Sequence, residues 1–104
     1  MKDQHKKPLF IALVTRYFNA FADGSKTHEY RLYGGRWNEK TCRVGRAVTL
    51  SRGYGKQARL PGTVSSFRRL SLSQLPPHVA ASMLELYGAR LGGHDIAEIG
   101  IEVA

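Results

Sequence analysis

The stretch DGSKTHEYRLYGGR, residues 23–36, sets a lysine, a glutamate and two arginines between glycines. It follows TRYFNAFA, in which Phe18, Phe21 and Ala22 fall on one helical face and Thr15 stands where an N-cap belongs. This pattern predicts a helix of about two turns that stops at Gly24, because glycine enters the left-handed C′ conformation without steric cost. A helix so short is held by packing rather than by propensity. Beyond Gly24 the period changes to two. Thr27, Glu29, Arg31 and Tyr33 share one side of a strand, and His28, Tyr30 and Leu32 share the other. At least one of Tyr30 and Tyr33 therefore belongs to a core.

The flanks supply the rest of the scaffold. MKDQHKKP, residues 1–8, is polar, ends in proline and reads as a flexible arm; residues 9–104 form one domain. LFIALVT is apolar and rich in strand formers, a buried strand. GRWNEKTCRVGR is a long polar connection whose VGR turns into the strand AVTLS, and RGYGKQ is a glycine-rich loop. ARLPGTVSSFRRLSL reads as one or two strands with a turn or bulge at Pro61 and Gly62. In SQLPPHVAASMLELYG the prolines suit a helix start and Gly88 its end. Its apolar stripe is Val79, Met83 and Leu86, with Ala80, Leu84 and Tyr87 beside it. DIAEIGIEV alternates cleanly, placing Ala97, Ile99, Ile101 and Val103 inward and Glu98 and Glu102 outward. Five or six short strands and two helices predict a small α+β domain on a curled, barrel-like sheet.

Length and charge restrict the function. A chain of 104 residues suffices for one modest core. Its longest apolar run, residues 9–14, is too short for a membrane span or a typical secretory signal, so a cytoplasmic protein without a membrane partner is expected. The lone Cys42 fits a reducing compartment. The formal net charge is +8, unevenly placed. Residues 26–69 hold eleven basic side chains against Glu29 and Glu39, whereas residues 85–104 set Arg90 against four acids. A molecule with one positive side attracts polyanions in a salt-dependent way; the plainer alternative is a solubilising surface.

The charged motif has a physical reading of its own. Gly24 turns the chain so that Lys26 reaches the rim of the sheet. Arg31, on the same side as Glu29, can hold that carboxylate by charge-assisted hydrogen bonds, and Glu29 can orient Lys26. Such a set suits a phosphate or a nucleobase edge, with Lys26 and Arg31 donating and Glu29 accepting from an exocyclic amine. The structural alternative is a plain ion pair between Glu29 and Arg31. Aromatic residues interleave with the basic window. Trp37 beside Arg36, and Tyr54 beside Arg52, are expected to be exposed and to stack unpaired bases.

GSKTHEYR also satisfies G-x-K-x-x-E-x-R, with Gly24, Lys26, Glu29 and Arg31 in register. On this motif, and on the order of strand, short helix, VG turn and terminal alternating strand, the chain resembles the activating signal cointegrator homology (ASCH) family, whose fold is a PUA-like β-barrel. The resemblance implies a module that binds single-stranded RNA, a nucleotide or a nucleoside, with ribonuclease activity as a further expectation. The implied binding residues are Lys26, Glu29 and Arg31, to which the basic and aromatic pattern adds Arg36, Trp37, Arg52 and Tyr54. If there is chemistry, Lys26 carries it as base or electrostatic stabiliser and Glu29 as water-positioning carboxylate. One branch of the family deacylates acetylated cytidine and resembles this chain at Lys26. The match at Lys26 makes a small-nucleoside amidohydrolase the alternative, although that branch has threonine where Glu29 stands; a protein-interaction module is the third reading. No cofactor is implied, and no metal: His5, His28, His78 and His94 show no ligand spacing with Cys42 or with carboxylates.

Overall fold

The computed structural model describes residues 7–104. Strands β1 (Leu9–Leu13), β2 (His28–Leu32), β3 (Ala47–Arg52), β4 (Arg59–Leu70) and β5 (Ile96–Val103) form one curled sheet in the order β1-β3-β4-β5-β2. β1 runs parallel to β3, and the other pairs are antiparallel. Helix α1 (Thr15–Asp23) connects the first two strands, and α2 (Pro77–Tyr87) precedes the last. The architecture is the expected small α+β, barrel-like one. The arm predicted over residues 1–8 lies largely outside the described residues, as does His5; the carbonyl of Lys7 accepts from Arg46 Nη2 at 3.2 Å.

The sheet has apolar layers on both faces. Inside the curl, Ile11, Phe18, Phe21, Val48, Leu50, Val64 and Ile99 pack together. A second cluster joins Met83 of α2 to Leu70, Leu75, Leu91 and Ile96. β5 thus faces a core on either side, which corrects the outward placement of Glu98: only 7% of it is exposed. It survives burial because it accepts from Arg68 Nε at 2.7 Å and from Tyr30 Oη at 2.8 Å. The strand register sets Arg68 directly opposite Glu98, and Arg69 reaches Asp95 at 2.8 Å. The basic window and the acidic end therefore neutralise each other in part, because β4 and β5 are neighbours.

Several local expectations hold and others shift. Gly24 takes φ 85° and ends α1, and Pro77 occupies the first turn of α2. Thr15 is not the cap, since Val14 holds that position, and Ala22 is exposed rather than packed. In α2, Met83 is buried, but Leu84 and Leu86 are 51% and 70% exposed because the second cluster takes up Met83, with Val79, Ala80 and Tyr87 against it, and neither of these leucines. β4 is a single long strand. Its irregularity lies between Val64 and Ser66, not at Pro61 and Gly62.

Gly62 has another role. A Cβ there would stand 2.8 Å from the backbone carbonyl oxygen of Glu102, which the β4–β5 ladder holds in place. Gly62→Ala is expected to destabilise the domain by ~1–3 kcal/mol through overpacking, lowering the urea midpoint without changing the slope. A midpoint equal to wild type would show that the ladder yields freely.

Candidate functional site

The turn after α1 positions the motif. The Gly24 N–H donates to the Phe21 carbonyl at 3.2 Å and the Lys26 N–H to the Ala20 carbonyl at 3.1 Å, folding the chain back along the helix it has just left. Ser25 reinforces the reversal by donating its backbone N–H to Asp23 Oδ1 at 2.8 Å. Lys26 consequently lies over α1. Its Nζ is 4.9 Å from the centre of the Tyr17 ring, 5.5 Å from Phe21 and 5.9 Å from Tyr30, all within cation–π range. It also stands 3.6 Å from Glu29 Oε1.

Glu29 is buried, and its other oxygen accepts from Arg31 Nε at 2.8 Å. The two side chains share one side of β2, as the period of two requires. Arg31 does more than hold the carboxylate. Its Nη2 donates to the Ala12 carbonyl of β1 at 2.9 Å, and its guanidinium lies 5.0 Å from the centre of the Trp37 ring. β1 and β2 are the two edges of the sheet and do not pair with each other. Arg31 therefore joins the open edges of the curl through a side chain where a closed barrel would have a backbone ladder.

A cleft of about 820 Å³ opens along this gap. Lys26 lines it from the turn after α1, Glu29 and Arg31 from β2, Arg16 and Tyr17 from α1, and His78, Ser82 and Glu85 from α2. Val14 and Leu86, both largely exposed, form apolar lips. The volume falls in the ~300–1,000 Å³ range of small-molecule sites. Glu29 Oε1, which among the described residues has the 3.6 Å lysine contact and no hydrogen bond, is the acceptor facing the cleft. His28 also borders the cleft, with Nδ1 2.9 Å from Thr27 Oγ1.

The remaining predicted residues divide. Trp37 is not exposed: the polar connection folds over the core and leaves it only 8% accessible, under the guanidiniums of Arg31 and Arg36. Arg36 itself is exposed but outside the cleft. Arg52 and Tyr54 are exposed as expected, and they too lie outside it. Sequence reasoning missed the residues that α1 and α2 contribute. His78, Val79, Ser82, Met83 and Leu86 recur at helical spacing, so the stripe read as core is in part a cleft wall. Among the described residues no group of His, Cys, Asp and Glu is arranged to hold a metal ion, and no helix is long and apolar enough to cross a membrane. Burial raises the Cys42 thiol above its ordinary value, which keeps this core cysteine protonated.

No family model matches the chain, and no curated protein matches it. Among solved structures, it is similar to the crystal structure of a hypothetical protein, PH0355, with a TM-score of 0.70 at 16% identity over 94% of this chain and 100% of that one. At this identity the likeness is one of fold: the curled mixed sheet with its two helices is an architecture that both chains adopt.

Proposed function

We propose that the chain is an ASCH-type, PUA-like module that binds single-stranded RNA or a nucleotide in the cleft between β1, β2 and α2. The observation that carries this reading is the convergence of Lys26, Glu29 and Arg31 on one cleft, with the carboxylate between them facing the lysine through Oε1 and the arginine through Oε2. A nucleobase presents the matching groups: an exocyclic amine for Glu29 Oε1 and ring or carbonyl acceptors for Lys26. The Tyr17 ring and the apolar side chains of Val79 and Met83 supply walls for a flat heterocycle. Arg16, exposed on the α1 side, is placed for a phosphate. A cytoplasmic setting belongs to the same proposal.

The test is binding of the four nucleoside monophosphates and of single-stranded RNA at low and high salt, with wild type and Lys26→Ala. Losing one charged hydrogen bond removes ~1.5–3 kcal/mol, so affinity should fall at least about tenfold. RNA affinity should also fall as salt rises. An affinity indifferent both to salt and to Lys26→Ala would reject the reading.

A further inference from the structure

A second aromatic and basic cluster lies outside the cleft. Phe10 alternates with the buried Leu9 and Ile11, which places it on the face of β1 away from the interior. The Tyr54 ring leans on it, with ring centroids 6.1 Å apart and planes inclined by 30°. Tyr54 belongs to the glycine-rich connection between β3 and β4 and is 81% exposed. The Arg59 guanidinium lies 5.3 Å from the Phe10 ring centre, and Arg59 Nε and Nη2 donate to the Gly55 carbonyl at 3.4 and 3.3 Å. Arg52 ends β3 just before the same connection, and Lys56 lies within it.

Charge decides what such a cluster recognises. Among the described residues no carboxylate pairs with Arg52, Lys56 or Arg59; the ion pairs engage Lys26, Arg31, Arg68 and Arg69 instead. The chain has no Asp or Glu at all from residue 40 to residue 84. A solvated aromatic ring on a connection that carries unneutralised cations is complementary to a polyanion that also offers π-faces. Single-stranded nucleic acid has both properties.

We propose that Tyr54, backed by Phe10 and accompanied by Arg52, Lys56 and Arg59 on the same connection and its ends, is a stacking platform for an unpaired base of a strand whose phosphates lie on the three cations. The platform adjoins the cleft. The Gly53 N–H donates to the Leu13 carbonyl at 2.9 Å, and Leu13 and Val14 line the cleft, so the connection begins where the β1 wall ends. The continuity of one strand across both places rests on the nucleic-acid reading of the cleft. The platform itself does not.

Anisotropy with the full chain separates the two claims, using a labelled single-stranded oligouridylate of about twelve nucleotides, a length within known single-strand site sizes, and uridine monophosphate as the short ligand. Tyr54→Ala should weaken the oligonucleotide about 5- to 150-fold, the equivalent of one lost base stack, and leave the monophosphate and the unfolding midpoint unchanged. Tyr54→Phe should retain the affinity. Arg52→Gln with Lys56→Gln should flatten the salt dependence by about 0.7 in log–log slope for each phosphate contact removed. Wild-type oligonucleotide affinity in Tyr54→Ala overturns the platform, and so does a loss in the Arg52 and Lys56 variant that polyglutamate competition reproduces in full, since charge alone then suffices. If Lys26→Ala weakens both ligands while Tyr54→Ala weakens neither, the platform fails and the cleft reading stands. If Tyr54→Ala alone weakens the oligonucleotide, the platform stands and the cleft reading fails.

Discussion

Arg31→Ala is expected to cost the domain ~3–5 kcal/mol, a large share of the ~5–15 kcal/mol by which domains of this kind are stable. Three separate losses combine. Glu29 keeps its burial but loses the 2.8 Å bond that offsets it. The Ala12 carbonyl loses its donor across the gap between the sheet edges, and the Trp37 ring loses the guanidinium lying against it. Lysine is no remedy, because a single ammonium cannot bond a carboxylate and a carbonyl in the fixed fork of a guanidinium. Arg31→Lys should therefore recover only part of the loss. Lys26 differs: its pair with Glu29 is long, and removal of its contacts with the rings should cost less than ~2 kcal/mol. Urea unfolding of the three variants decides. An Arg31→Ala protein within ~1 kcal/mol of wild type would mean that the sheet edges hold together without it.

The comparison changes which residue reports on ligand binding. From the sequence alone, Lys26→Ala and Arg31→Ala are equivalent probes expected to spare the fold. In the structure Arg31 is the tie across the open curl, so weakened binding in its variant mixes lost contacts with lost structure. Lys26 is the clean probe.

The same case shows what was legible beforehand. Glu29 and Arg31 could be paired from the period of a strand, and Lys26 could be placed at the rim from Gly24, because both are local rules of backbone geometry. The β1 carbonyl that Arg31 also holds is nineteen residues away and belongs to the opposite sheet edge, a relation set by the curl of the whole sheet. Trp37 misled for a similar reason. Its neighbours in sequence are polar, but two arginines cover its ring while the indole completes the core. Leu86 misled in the opposite direction: helical periodicity identified a stripe, while the second cluster takes up Met83 and Val79 and leaves Leu86 out. Burial at both sites is a property of the layers rather than of the segment.

Glu98 is where the hidden second layer should have its clearest energetic signature. Burial pushes its carboxyl upward, but the hydrogen bonds from Arg68 and Tyr30 outweigh burial and hold it below the ordinary carboxylate range. Because the folded value is depressed, Glu98 contributes stability above the unfolded value of ~4.3, and that contribution is lost as pH falls through the lower folded value. Tyr30 behaves in the opposite sense. Burial first, then its bond to Glu98, raises the phenol to about 12. A raised value stabilises below the unfolded ~10 and is lost as pH climbs from there through the folded value. Glu98→Ala should cost ~2–3 kcal/mol at neutral pH, chiefly by leaving the part-buried Tyr30 hydroxyl without its acceptor; Arg68, 65% exposed, regains water. The variant should also lose the part of the acid destabilisation that Glu98 carries, and its latest-titrating tyrosine should ionise earlier. Tyr30→Phe assigns that titration by abolishing it. If the late tyrosine persists in Glu98→Ala, burial alone sets the Tyr30 value, and the paired carboxylate does not govern the alkaline limb of stability.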